Sequence, residues 1–189
     1  WGEPVNFYQR TLNFAPDSSM AYYNLGNAYK TAGKNDEAAI AYKNAIAAKP
    51  DYAEAYNNLG IIYAALDKTE EAVASYKNAL AIRPGYSQVY NNLGILYQAA
   101  GQNDEAMASY TKAMEANPDN PETYFNLGNF YSAQNKVQKS IAAYQKAVEM
   151  DPYYAQAHNN LGIAYREADR NFDALVSFKN AVDSDPRFA

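Results

Sequence analysis

The stretch EAYNNLGIIY, residues 54–63, decides the fold of this chain because it returns at regular intervals. It recurs as QVYNNLGILY at 88–97 and QAHNNLGIAY at 156–165, with looser copies MAYYNLGNAY at 20–29 and ETYFNLGNFY at 122–131. Every copy combines the apolar spacing of a helix with asparagine and glycine, which are poor helix formers. Gly60 alone costs about 1 kcal/mol relative to alanine in a helix interior, so we expect a packing contact that compensates for it.

Two residue types keep one spacing of 34 residues through the chain. The glycines are Gly26, Gly60, Gly94, Gly128 and Gly162, and the prolines are Pro16, Pro50, Pro84, Pro118, Pro152 and Pro186. A fixed period of this size indicates a solenoid of stacked repeats. We therefore predict five units at 19–52, 53–86, 87–120, 121–154 and 155–188, with residues 1–18 forming the second helix of a truncated preceding unit.

Each unit is predicted to contain two helices. In residues 53–86 the apolar faces of the two helices carry, in order, Tyr56, Leu59, Gly60 and Tyr63, then Ala72, Tyr76, Ala79 and Leu80. Pro84 ends the second helix because proline has no N–H to donate and clashes with the preceding turn. We expect Gly60 to face the small residues Ala72 and Ala79, so that the two helix backbones approach closely.

The charged and polar composition excludes several classes of protein. The net charge is -5 and the pI is about 4.9, which argues against nucleic-acid binding. The chain has no cysteine, and no apolar run reaches the roughly 18 residues of a membrane span. No signal peptide is visible either, which favours the cytoplasm. The first residue is Trp1 rather than methionine, so we expect a processed chain or part of a longer one.

Catalytic signatures are also missing from the sequence. The acidic pairs Asp36–Glu37, Glu70–Glu71 and Asp104–Glu105 recur with the period at the start of second helices, where carboxylates complement the positive helix end. His158 is the only histidine, and it occupies an inward aromatic position, which favours a core residue over a catalytic one. We find no nucleophile elbow, phosphate-binding loop or metal-ligand cluster. The sequence predicts a non-enzyme that needs no cofactor and no metal.

The order of residues in one unit resembles the tetratricopeptide repeat signature: a large aromatic, Leu-Gly, Tyr, then Ala, an aromatic, Ala and Pro. The match covers nearly the whole chain, with mild departures at Ser140 and His158. The resemblance implies an all-α, right-handed superhelical solenoid of antiparallel helix pairs, whose first helices line a concave groove. It also implies protein or peptide partners. Exposed apolar ends, with Phe172, Leu175 and Val176 in the last helix, suggest that the array continues in a longer parent chain or pairs end to end as a homo-oligomer.

One asparagine position, which we call the asparagine ladder, is common to all five units. Its members are Asn24, Asn58, Asn92, Asn126 and Asn160. They lie on a second helical stripe that faces the groove in the resembled fold, together with Tyr23, Asn27, Asn57, Asn91, Phe125, Asn129 and Asn159. Because a carboxamide offers both donors and an acceptor, the ladder is predicted to bind the main chain of an extended peptide. The alternative is that these amides bond the neighbouring helix and set the stacking angle.

The ladder and the wording YNNLGI resemble the tetratricopeptide arms of O-linked N-acetylglucosamine transferases and their relatives. Such a resemblance implies a second possibility, a substrate-recruiting arm of a larger glycosyltransferase, and a third is a self-assembling structural unit. The carboxylate clamp of chaperone-binding members is not expected, since Tyr23 occupies the position of its first lysine.

Overall fold

The computed structural model describes residues 2–188 of the chain, and the side chains of residues 4–188. Eleven α-helices and a terminal 3-10 turn occupy this range, and it contains no strand. Trp1, within the predicted truncated unit, lies outside the described residues. The helices are α1 (Gly2–Phe14), α2 (Ser19–Thr31), α3 (Asn35–Ala48), α4 (Ala53–Ala65), α5 (Thr69–Ile82), α6 (Ser87–Ala99), α7 (Asn103–Ala116), α8 (Pro121–Ala133), α9 (Val137–Met150), α10 (Ala155–Glu167) and α11 (Asn171–Ser184).

The chain divides into two compact units, the first ending at Leu96 and the second beginning at Tyr97. In the first unit α1 packs on α2, α2 on α3, α3 on α4 and α4 on α5. In the second, α7 packs on α8, α8 on α9, α9 on α10 and α10 on α11. Helices of 13 or 14 residues are marginal alone, so their stability comes from this packing. The even-numbered helices α2 to α10 are the first helices of the predicted pairs, and the odd-numbered ones are the second helices.

Tyrosines of the second helices pack against the glycines of the first. A Cβ atom added at Gly60 would lie 2.6 Å from Cε1 of the Tyr76 ring. Gly26, Gly128 and Gly162 meet an aromatic ring of the next helix in the same way. The prediction that Gly60 faces Ala72 and Ala79 was therefore wrong about the partner. The space left by the missing side chain is filled by a flat ring, which stacks directly on the helix backbone.

Alanines and tyrosines dominate the core of each unit. A cluster in the first unit contains Ala38, Tyr42, Leu59 and Ile62, all buried. The second unit has a matching cluster around Tyr144 and Leu161, which includes Tyr165 of α10. In α11, Phe172, Leu175 and Val176 are exposed, as the sequence predicted.

The turn inside every pair contains one residue with left-handed backbone geometry. Those residues, spaced by 34, are Gly33, Asp67, Gly101, Asn135 and Asp169, with φ between 55° and 73°. Glycine adopts this geometry without strain, and asparagine and aspartate tolerate it better than other residues. Glycine therefore occupies this turn position in two units, and aspartate or asparagine occupies it in the other three.

We expect Gly33→Ala to lower the free energy of unfolding by about 1 kcal/mol, because alanine is strained at a φ of 72°. Space is not the cause, since no atom lies within 4 Å of an added Cβ. Urea denaturation measures the loss, and Gly33→Asn serves as the control with a smaller expected loss. Equal losses for the two variants would contradict a backbone origin.

Candidate functional site

The groove-facing stripe of the first unit is held by side-chain hydrogen bonds between first helices. Asn58 of α4 donates from Nδ2 to Oδ1 of Asn27 at 3.0 Å and to the Tyr23 hydroxyl at 3.1 Å, both on α2. The Tyr42 hydroxyl of α3 donates to the same Asn27 oxygen at 2.7 Å. Both amide hydrogens of Asn58 are thus used inside the protein. Three helices meet at the carboxamide of Asn27.

Asn57 continues this network toward the next helix. Its Nδ2 donates to Asn58 Oδ1 at 3.4 Å, and its own Oδ1 accepts from Nδ2 of Asn92, on α6, at 2.9 Å. Asn92 is only half-buried, so part of its amide faces solvent. The amides of α4 therefore bond to helices on both sides.

The second unit repeats the arrangement 102 residues later. Asn160 of α10 donates to Oδ1 of Asn129 at 2.9 Å, and the Tyr144 hydroxyl donates to that oxygen at 2.7 Å. Asn159 donates to Asn160 Oδ1 at 3.3 Å. Burial raises the pKa of Tyr144 to about 12, with the charge of Glu167 adding to the rise and the polar side chains of Asn160 and Ser132 opposing it. The hydroxyl consequently stays protonated at neutral pH and keeps its hydrogen for donation.

Burial separates the predicted site residues into two groups. Four are less than one-tenth exposed: Asn57 at 3%, Asn58 at 8%, Asn91 at 1% and Asn126 at 7%. The remaining eight are half-buried: Tyr23, Asn24, Asn27, Asn92, Phe125, Asn129, Asn159 and Asn160. For the buried group, surface contact with a peptide main chain does not fit the structure. The stacking role, which the sequence left open as the alternative, is the one for which the structure gives contacts.

Two ladder members differ from the rest. Within its own unit, Asn126 Nδ2 is buried and has no hydrogen-bond partner among the described residues. Asn24 lies on α2, and the helix before α2 is α1, which is a second helix. Within residues 2–188 no first helix therefore precedes Asn24. The inter-helix bond of the ladder thus requires a first helix on its N-terminal side.

A cavity of about 320 Å3 opens on this stripe in the second unit. It is lined by Asn129, Ser132, Ala133, Tyr144, Asn160 and Ile163. None of these side chains is charged, and their donors and acceptors suit neutral polar groups such as a peptide main chain. Sequence reasoning found Asn129 and Asn160 but missed Tyr144 and Ser132. A signal for the Tyr144 contact was available in the sequence. Asparagine follows the Leu-Gly pair only in the copies at 20–29 and 122–131, and in both it accepts a hydrogen bond from a tyrosine of the second helix.

His158 is buried in the second unit, as predicted for a core residue. Its Nε2 lies 3.0 Å from the carbonyl oxygen of Pro152, which can only accept, so Nε2 carries the hydrogen. Within residues 2–188 there is no group of three or more side chains suited to hold a metal ion. None of the helices in this range combines the length and the apolar composition of a membrane span.

Family models for the tetratricopeptide repeat match most of the chain. One such model matches residues 51–119 and 85–152, a second matches 26–67, and a third matches 7–39 and 143–176. These matches identify the repeat without pointing to the transferase arms. A search among curated proteins gave no match.

Solved structures show the same solenoid of helix pairs. MamA is 25% identical, with 86% of this chain and 95% of MamA covered and a TM-score of 0.70. YrrB is 21% identical over 95% of this chain and 92% of its own, with a TM-score of 0.63. PilF of Pseudomonas aeruginosa is 18% identical, covers 88% and 76% respectively, and has a TM-score of 0.80.

Proposed function

The chain belongs to the tetratricopeptide repeat family, and from this membership we propose that it is a non-catalytic interaction module. Its ligand is an extended peptide or an extended segment of a partner protein, held along the stripe of the first helices. Proteins of this repeat family mediate protein–protein interactions, and the solved structure of YrrB is described as having an unusual peptide-binding site. The observation that carries the proposal is the uncharged polar cavity on this stripe.

The hydrogen bonds between first helices prepare the cavity for a main chain. Asn160 uses one amide hydrogen on Asn129, which leaves its second hydrogen for a ligand carbonyl. Tyr144 holds the Asn129 oxygen from the other side, so both amides keep their orientation before any ligand arrives. Preorganisation of this kind reduces the entropy lost on binding. The asparagine ladder thus acts twice: Asn58, Asn92 and Asn160 each bond the preceding first helix, and the half-buried Asn92 and Asn160 also present donors.

Filling the cavity is expected to weaken peptide binding at least tenfold without unfolding the protein. Ala133 is exposed at its edge, so Ala133→Trp adds bulk there and removes no hydrogen bond. Ala142, an exposed alanine of α9 outside the cavity, gives the matched control Ala142→Trp. Peptides selected from a random library provide the ligand, and fluorescence anisotropy measures their affinity for each variant. Equal affinity of the two variants would contradict the proposed site, as would failure to select any peptide.

A further inference from the structure

The stripe contains two aromatic pairs of nearly identical geometry, one in each unit. In the first unit the rings of Tyr23 and Tyr52 have centroids 5.0 Å apart. In the second unit the rings of Phe125 and Tyr154, 102 residues later, are also 5.0 Å apart. In both pairs the first ring comes from the first helix of one repeat, and the second ring from the residue just before the next first helix. The two pairs can therefore be compared position by position.

In the first unit, a lysine or arginine of the protein itself lies over the tyrosine that directly precedes a first helix. Lys49 Nζ lies 5.0 Å from the centroid of Tyr52, and Arg83 Cζ lies 4.5 Å from the centroid of Tyr86. Arg83 also forms an ion pair with Glu54. Burial alone would raise the pKa of Glu54, but the hydrogen bonds to this carboxylate and the charges of Arg83 and Lys49 together lower it. Each cation stands three residues before its tyrosine. Cations are held over aromatic faces by the ring quadrupole.

The second unit has a carboxylate where the first has these cations. Asp151 stands three residues before Tyr154, and like Lys49 and Arg83 it precedes a proline in the period of 34. Its backbone is similar, with φ -128° and ψ 93° against -141° and 93° at Lys49 and -130° and 89° at Arg83. The position is therefore the same and the sign of the charge is reversed, while Oδ1 of the shorter Asp151 side chain accepts from the backbone N–H of Tyr153 at 3.0 Å.

A second carboxylate, Glu122, flanks the same aromatic pair one helical turn before Phe125. It takes the position that Met20 has beside Tyr23 and that Glu54 has beside Asn57. Together with burial, the charges of Glu122 and Asp151 raise the pKa of the Tyr154 hydroxyl to about 12. Among the described residues no lysine or arginine pairs with either carboxylate or contacts either ring.

We propose that Glu122, Phe125, Asp151 and Tyr154 form a seat for a lysine or arginine side chain of the bound partner. The aromatic pair supplies the face, and the two carboxylates supply the counter-charge that Glu54 supplies to Arg83. This cation seat adjoins the groove stripe on α8, and as part of a partner-binding surface it rests on the proposed function. The cation seat implies, in addition, that the partner carries a positive charge at the point where the partner crosses the start of α8.

The seat can be tested with a minimal cation, independently of any peptide. We use Nα-acetyl-arginine amide as the probe and Nα-acetyl-citrulline amide, its neutral analogue of nearly equal shape, as the control. Titration is followed by two-dimensional NMR of the backbone amides. The arginine probe is expected to shift the signals of residues 122–125 and 154 in a saturable way, and the citrulline probe is not. Equal shifts with both probes would overturn the proposal.

Two variants carry the test further. Asp151→Lys places an internal cation on Tyr154, as Lys49 does on Tyr52, and is expected to weaken binding of the arginine probe at least tenfold. The double variant Met20→Glu with Lys49→Asp builds the same seat around Tyr23 and Tyr52, and is expected to create a second set of shifting signals there. Unchanged binding by the first, or no new signals with a folded second variant, would overturn the proposal.

Ala133→Trp separates this seat from the groove, because it fills the cavity and leaves all four seat residues in place. This variant is expected to keep the response to the arginine probe while losing selected peptides. In the wild-type protein, no response to the arginine probe together with normal binding of selected peptides would overturn the seat and leave the groove proposal standing. Failure to select any peptide with the wild-type protein, together with a normal arginine response, would overturn the groove alone.

Discussion

Replacing Gly60 by leucine is expected to lower the free energy of unfolding by about 3 kcal/mol. Even the first atom of the new side chain, Cβ, would lie 2.6 Å and 2.7 Å from two carbon atoms of the Tyr76 ring. That ring is 2% exposed, so it has no solvent-facing position into which it can turn. Overpacking would force the ring off its preferred rotamer or push α4 away from α5. Urea denaturation followed by far-UV circular dichroism measures the loss.

Gly60→Ala separates this contact from helix propensity. In an open helix interior the change to alanine would raise stability by about 1 kcal/mol, so a net loss requires the clash with Tyr76. Gly85→Ala is the control for a substitution without a clash, because Gly85 lies in the turn before α6 and no atom lies within 4 Å of a Cβ added there. We expect the control to change stability by less than about 0.5 kcal/mol. A gain of about 1 kcal/mol for Gly60→Ala, the value for an open helix interior, would mean that ring stacking does not explain the periodic glycine.

Asn58→Ala is expected to lower the free energy of unfolding by about 2 kcal/mol. The substitution removes two donated hydrogen bonds, to Asn27 and to Tyr23, from a side chain that is 8% exposed. It also leaves a space between α2 and α4 that neither helix can fill without shifting. Asn44→Ala is the control, since Asn44 is an exposed asparagine within α3 and its loss should change stability little.

A double-mutant cycle with Asn27→Ala tests whether the bond between Asn58 and Asn27 carries this effect. Residues in one hydrogen-bond network show coupling, and we expect about 1 kcal/mol here. Additive losses for the two single variants would mean that the bond to Asn27 does not carry the effect, which would leave the bond to Tyr23 and packing as its sources. In that case the bond between Asn58 and Asn27 would have no specific role in stacking.

Periodicity was enough to predict the fold class. The 34-residue spacing of glycine and proline indicated helix pairs, and one pair, such as Ala53–Ala65 with Thr69–Ile82, lies within each predicted unit. The acidic pair Glu70–Glu71 does lie in the first turn of α5, and Asp36–Glu37 in that of α3. Such features depend on local rules of helix ends and on one face of one helix, which a sequence displays directly.

The partner of each inward residue could not be predicted in the same way. Gly60 was correctly placed on the inward face, but a stripe does not show the rotation and height of the neighbouring helix. The rotation and height of that helix decide which of its residues, Ala72, Tyr76 or Ala79, lies nearest to Gly60. The Tyr76 ring lies against Gly60 because it fills more of the space between the helices than the methyl groups of Ala72 and Ala79 do.

The asparagine ladder shows a similar limit. Its side of the helix followed from the spacing, but the bonds that join Asn58 to Asn27 and Asn160 to Asn129 span 31 residues and depend on how successive repeats stack. A finer comparison of the repeats would have helped, since asparagine at 27 and 129 accompanies an aromatic residue at 23 and 125. This second period of 102 residues also marks the two aromatic pairs.

Mapping a selected peptide onto the protein by NMR tests the central claim most directly, namely that the ligand lies on the stripe of the first helices. With the peptide at saturation, the largest shift changes are predicted for the cavity residues Asn129, Ser132, Asn160 and Ile163. Shift changes concentrated instead on exposed residues of a second helix, such as Lys139, Ala142 and Lys146 of α9, would contradict the account.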